Sequence, residues 1–79
     1  MSQSTAEVVG AAVRAELARA GKSQNDLAAV LGVTQTAVSK RLRGVTPFDV
    51  NELARVAEAL GLDMSVLIAG TTARQTTAP

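Results

Sequence analysis

With 79 residues, 47% of them hydrophobic and one aromatic, the chain can enclose one small core, since a chain this short buries only about 60% of its unfolded surface. The absence of Cys and His excludes disulfides, thiolate and imidazole metal sites, and catalysis that depends on either residue. A net charge of +1, from 8 Lys and Arg against 7 Asp and Glu, excludes binding to nucleic acid or membrane through bulk charge, so such a partner must be met by a patterned surface.

The first residues, MSQSTAEVV, lack the basic and apolar regions of a signal peptide, and no run approaches 18 apolar residues. A soluble, cytoplasmic protein is expected. The apolar content is mostly Ala, Val and Leu, which favours packed helices, and no segment alternates with period two, so the fold class is all-α.

Ser4 and Glu7 form a capping box, and Val9, Val13 and Leu17 then line one helix face until Gly21. A second box-like start, Ser23 with Asp26, opens a helix of barely two turns with an apolar stripe of Leu27, Ala28 and Leu31 before Gly32. Thr34 caps a third helix from Gln35 to about Arg43, closed by Gly44. After a turn at VTPF, Asp49 and Glu52 cap a fourth helix whose Val50, Leu53, Val56, Ala57 and Leu60 are expected to face the core before Gly61. Asp63 caps a short fifth helix, MSVLIAG, expected to end at Gly70. Residues 1–70 therefore read as one five-helix domain, and residues 71–79, TTARQTTAP, as a disordered tail or a linker to a further domain.

Helices two and three are separated by Gly32, Val33 and Thr34 alone, a turn that forces a steep crossing. Ala28 is small enough to sit at that crossing, and Val33 and Val38 can seal the corner from inside. On a wheel of 100° per residue, Gln35, Ser39, Arg43, Thr36 and Lys40 fall within about 140° of one another, while Val38 and Leu42 lie on the other side. One half of the helix is thus polar and basic, and the other half anchors it.

The basic residues Lys40, Arg41 and Arg43 fall within the stretch GVTQTAVSKRLRG, which holds no acid, and without them the chain is net acidic. In isolation such a stretch reads as a solvated helix face. The turn and the flanking helices favour major-groove reading of double-stranded DNA. Gln bonds the N6 and N7 edge of adenine, Lys the O6 and N7 edge of guanine, and Ser or Thr either base or a thymine methyl. Gln35, Thr36, Ser39 and Lys40 are the expected base contacts. Arg43, together with Gln24, Asn25 and Thr34 near helix starts, is expected on phosphates.

The segments SQNDLAAVLGVTQTAVSKRLRG and ELARVAEALGLDMSVLIAG resemble the lambda-repressor-like, Cro/C1-type (XRE) DNA-binding domains over residues 6 to 70. The resemblance implies a compact five-helix fold with a helix-turn-helix at helices two and three. It also implies Gln24 on a phosphate and Gln35, Thr36, Ser39 and Lys40 facing bases. The function it implies is a sequence-specific transcriptional regulator, with a repressor of phage-immunity or lysogeny type as the narrower expectation. The chain departs from the family pattern at Arg41, where an apolar residue is usual. Arg41 either reaches a phosphate or pairs with an acid such as Glu52. No Lys or Arg precedes Arg14, so minor-groove contacts from a basic N-terminal arm are not expected.

Helix five is apolar nearly all round, and Met64 and Ile68 are the expected homodimer interface, which would set two recognition helices about 34 Å apart on a palindromic operator. The rival function is a protein-interaction module, such as an antitoxin, that uses the same fold to hold a protein partner. Catalysis is not expected: Glu7, Glu16, Asp26, Asp49, Glu52, Glu58 and Asp63 read as caps or solvated faces without metal-ligand spacing, and no cofactor is implied.

Overall fold

The computed structural model describes residues 3–76, with side chains through residue 71. Five helices follow one another: α1 (Thr5–Ala20), α2 (Gln24–Leu31), α3 (Gln35–Leu42), α4 (Val50–Leu60) and α5 (Met64–Thr76). No strand occurs among the described residues.

The caps explain the boundaries. Capping boxes start α1 at Ser4 and Glu7, α2 at Ser23 and Asp26, and α4 at Asp49 and Glu52, each satisfying two backbone donors that a helix start leaves over. Thr34 Oγ1 accepts the Ala37 N–H at 3.1 Å to start α3, and Asp63 Oδ1 accepts the Ser65 N–H at 2.9 Å to start α5. At the ends of α1, α2 and α4 the chain turns through a left-handed glycine.

One core fills the centre. Val13 of α1, Val38 of α3, Val56 of α4 and Leu67 of α5 are fully buried, and Leu27 and Leu31 supply the wall from α2. Burial of each such side chain stabilises the fold by roughly 1.5–3 kcal/mol. Ala28, Val33, Phe48, Leu60, Leu62 and Met64 pack around it half-buried.

Two sequence expectations are corrected. Val50 is 72% exposed rather than core-facing. It is the first residue of α4; the inward stripe begins at Leu53, and Phe48, just before the cap, is the residue packed against the core at this end. The second correction is the end of α5, which runs to Thr76 instead of stopping at Gly70; residues 77–79 lie outside the described residues. Gly70 does not take the left-handed conformation that ends α1, α2 and α4. It is a packing glycine: a Cβ there would stand 2.8 Å from Val8 Cγ1 of α1. Thr71 Oγ1 donates back to the Ile68 carbonyl at 2.7 Å, inside the continuing helix.

Candidate nucleic-acid interface

The site is α3 with the start of α2. Val38 and Leu42 are buried, which fixes the rotation of α3 and turns the opposite half outward. On that half Gln35, Thr36 and Lys40 are exposed and Ser39 is half-buried. The four expected base-reading residues therefore share one accessible face of one short helix. Arg43, the C-cap of α3, is exposed beside them, its Nε donating to the Ser39 carbonyl at 3.4 Å. Among the described residues neither Lys40 nor Arg43 is in an ion pair, so both charges are available to an anion.

At the start of α2, Asn25 is exposed and Gln24 half-buried. Their amides occupy the first two positions of the helix and have no intrahelical acceptor. The acid in this turn, Asp26, faces back onto the cap: its Oδ2 accepts the Ser23 N–H at 2.8 Å. That backbone bond, then the Ser23 hydroxyl and the nearby Lys22 charge, hold the Asp26 carboxyl below its ordinary value of 3.8. Thr34 is exposed, and since its Oγ1 serves as acceptor to Ala37, its hydroxyl proton is free for an outside acceptor.

Arg41 behaves differently from its neighbours. Of the two alternatives open in the sequence, pairing with Glu52 is the one adopted. Arg41 Nε donates to Glu52 Oε1 at 3.1 Å, Nη2 lies 3.0 Å from Glu52 Oε2, and Nη1 donates to the Ala37 carbonyl at 3.2 Å. The two side chains are 17% and 11% exposed. This guanidinium is turned into the protein, and the expectation of Arg41 on a phosphate is withdrawn on that ground.

Two contacts that sequence reasoning missed hold the far end of α3. A Cβ on Gly10 would stand 2.6 Å from the Leu42 carbonyl oxygen and 2.7 Å from that of Arg41. Gly44, at φ 77°, would place a Cβ 2.6 Å from Glu7 Cα. The backbone of α1 thus lies directly on the C-terminal turn of α3, an approach that glycine alone permits. The available signal was Gly10 itself, a glycine inside a helical stripe that costs about 1 kcal/mol against Ala unless close packing requires it.

On α5, Ile68 is 37% exposed, while Met64 is half-buried against the core and Leu67 is fully enclosed. Of the two residues expected at a dimer interface, Ile68 is the more accessible. Among the described residues no helix is long and apolar enough to cross a membrane.

Comparison with known proteins agrees with this geometry. In a search of solved structures the chain is similar to the clp gene regulator ClgR from C. glutamicum, with a TM-score of 0.78 and 29% identity over 89% of this chain and 95% of that one. No curated protein sequence matches the chain. The helix-turn-helix family profile matches residues 13–67, the span from the middle of α1 into α5 that encloses the α2–α3 unit. The chain belongs to the helix-turn-helix family of Cro/C1 type.

Proposed function

We propose that the protein is a DNA-binding transcriptional regulator that inserts α3 into the major groove of an operator. The observation that carries this reading is the division of α3: Val38 and Leu42 are buried, while Gln35, Thr36 and Lys40 are exposed together on a short helix that follows a three-residue turn. Membership of the helix-turn-helix family and likeness to a protein described as a gene regulator support it.

In this arrangement Gln35 and Lys40 read purine edges, Thr36 and Ser39 read smaller features such as a thymine methyl, and Arg43 neutralises a phosphate at one end of the helix. The open amides and side chains of Gln24 and Asn25, with the Thr34 hydroxyl, take a phosphate at the other end. Phosphate contacts then flank base contacts and fix the docking register. Regulation follows from occupancy: a repressor covers its operator and excludes polymerase. A repressor of phage-immunity type is the narrower form of this reading and rests on the Cro/C1 resemblance.

A homodimer through α5, centred on Ile68 with Met64 at its edge, would give the two recognition helices the spacing of one DNA turn, about 34 Å. The exposure of Ile68, an apolar side chain on the same helix as the similarly exposed Val66, supports it. The proposal is tested by selection from a randomised duplex library. An enriched sequence whose binding is lost in Gln35→Ala and Lys40→Ala supports major-groove reading, and the absence of any enriched sequence contradicts it.

A further inference from the structure

We infer that Arg41 and Glu52 form a positioning pair that sets the orientation of the recognition helix, so that Arg41 governs which bases are read without touching DNA. This deepens the DNA-binding reading and rests on it.

Packing gives the pair its leverage. Backbone approach is close between α3 and α1 and between α3 and α2, whereas α4 packs on α2, α5 and α1. Between α3 and α4 the Arg41–Glu52 fork is a direct side-chain link. A bidentate Arg–carboxylate contact fixes direction as well as distance, which an apolar residue at position 41 would not do.

Glu52 is already committed at its other end. Its Oε1 also accepts the Asp49 N–H at 3.1 Å, and the Asp49 carboxylate accepts the Glu52 N–H at 2.7 Å, which is the capping box of α4. The same carboxylate that starts α4 therefore anchors the last turn of α3 across the connecting loop. On the α3 side the loop is held by Gly44 N–H to the Arg41 carbonyl at 3.1 Å and Val45 N–H to the Lys40 carbonyl at 2.9 Å. Residues 40 and 41 thus tie the loop by their carbonyls while Arg41 ties α4 by its guanidinium. Lys40 and Arg43, proposed on base and phosphate, sit on either side of this knot.

The test uses the 79-residue chain, a duplex recovered from a randomised library, and the same duplex with single base pairs changed. Arg41→Gln, Arg41→Lys, Glu52→Gln and the double variant Arg41→Gln/Glu52→Gln are compared, each first checked by circular dichroism for a cooperative melt. A positioning pair predicts that all three single variants lose about tenfold in the ratio of affinities for selected and altered duplexes, and that the double variant is no worse than the worse single one, as for residues acting through one contact. It also predicts an unchanged dependence of log affinity on log salt, because no phosphate contact is removed. In the free protein, residual dipolar couplings of α3 cease to fit the wild-type orientation in Arg41→Gln while those of α1, α2 and α4 still fit.

A salt slope smaller by about 0.9 in Arg41→Gln and kept in Arg41→Lys, with Glu52→Gln binding as wild type, would make Arg41 a phosphate contact and overturn the proposal. Lowered melting temperatures with discrimination intact would reduce the pair to a structural one. A wild-type chain without any duplex preference would remove the DNA reading itself. The dipolar couplings of the free protein then still decide whether the pair orients α3.

Discussion

Gly10 in the middle of α1 lies directly under the last carbonyl of α3: a Cβ there would stand 2.6 Å from the Leu42 oxygen. The obstacle is backbone, and it belongs to the helix proposed to read DNA. Gly10→Ala gains about 1 kcal/mol in helix propensity but incurs an overpacking cost of about 1–3 kcal/mol, so a net loss of about 1 kcal/mol is expected. For a domain of this size that lowers the melting temperature by roughly 4–8 °C. Gly70→Ala meets only the Val8 methyl, at 2.8 Å, and should cost less. Thermal melts of the two variants side by side check the contrast, and equal melting temperatures would count against the close approach of α1 and α3.

The exposed face of α3 divides by role. Gln35→Ala and Lys40→Ala should each weaken operator binding by about 1–3 kcal/mol and relax preference at one base position. Arg43→Ala should weaken binding to all duplexes alike and lower the salt slope by about 0.9. Affinities for matched and altered duplexes at three salt concentrations separate the two behaviours. Unchanged affinity in both Gln35→Ala and Lys40→Ala would remove these residues from the base-reading set.

Acid should loosen two helix starts. The Ser65 backbone bond, followed by its hydroxyl, holds the Asp63 carboxyl below 3.8, as the Ser23 bonds do for Asp26. Because both values are lowered in the folded state, the unfolded chain binds more protons in the window just below 3.8, and stability there rises with pH. The contribution is complete above the ordinary carboxylate range and is lost as pH falls through the lowered folded values. Melting temperatures measured from about pH 6 to about pH 2 should fall at the acid end, and the fall should be shallower in Asp26→Asn and Asp63→Asn. Identical profiles in wild type and both variants would contradict the caps.

α5 is expected to serve two purposes through adjacent residues. Leu67 is fully buried, so Leu67→Ala should destabilise the domain by about 2–5 kcal/mol. Ile68 is partly exposed, so Ile68→Asp should leave the melt nearly unchanged while shifting sedimentation from dimer to monomer. A wild-type chain that sediments as a monomer at micromolar concentration, with and without operator, would contradict the dimer.

Much of this was legible in the sequence because helix starts announce themselves. Ser4, Ser23, Thr34, Asp49 and Asp63 all cap where the chain places them, and the stripes through Val13, Leu27, Val38 and Val56 all point inward. Less legible was what depends on a second element. Gly70 reads as a stop until Val8 is beside it, and Gly10 reads as a weak helix residue until α3 lies on it. Val50 has the right spacing for the core but the wrong end of its helix. Arg41 broke the family pattern and left two partners open, since a long cationic side chain reaches either solvent or core, and the position of α4 decided for Glu52.

The central claim is that α3 recognises a particular duplex sequence, and competition binding tests it most directly. Fluorescence anisotropy would follow the chain on a labelled duplex recovered by selection, against a scrambled competitor, at two salt concentrations. The account predicts binding that survives a large excess of scrambled DNA, weakens steeply with salt, and loses its preference in Gln35→Ala and Lys40→Ala. Binding abolished equally by scrambled and selected competitor would contradict it and favour a fold whose main task is to hold a protein partner.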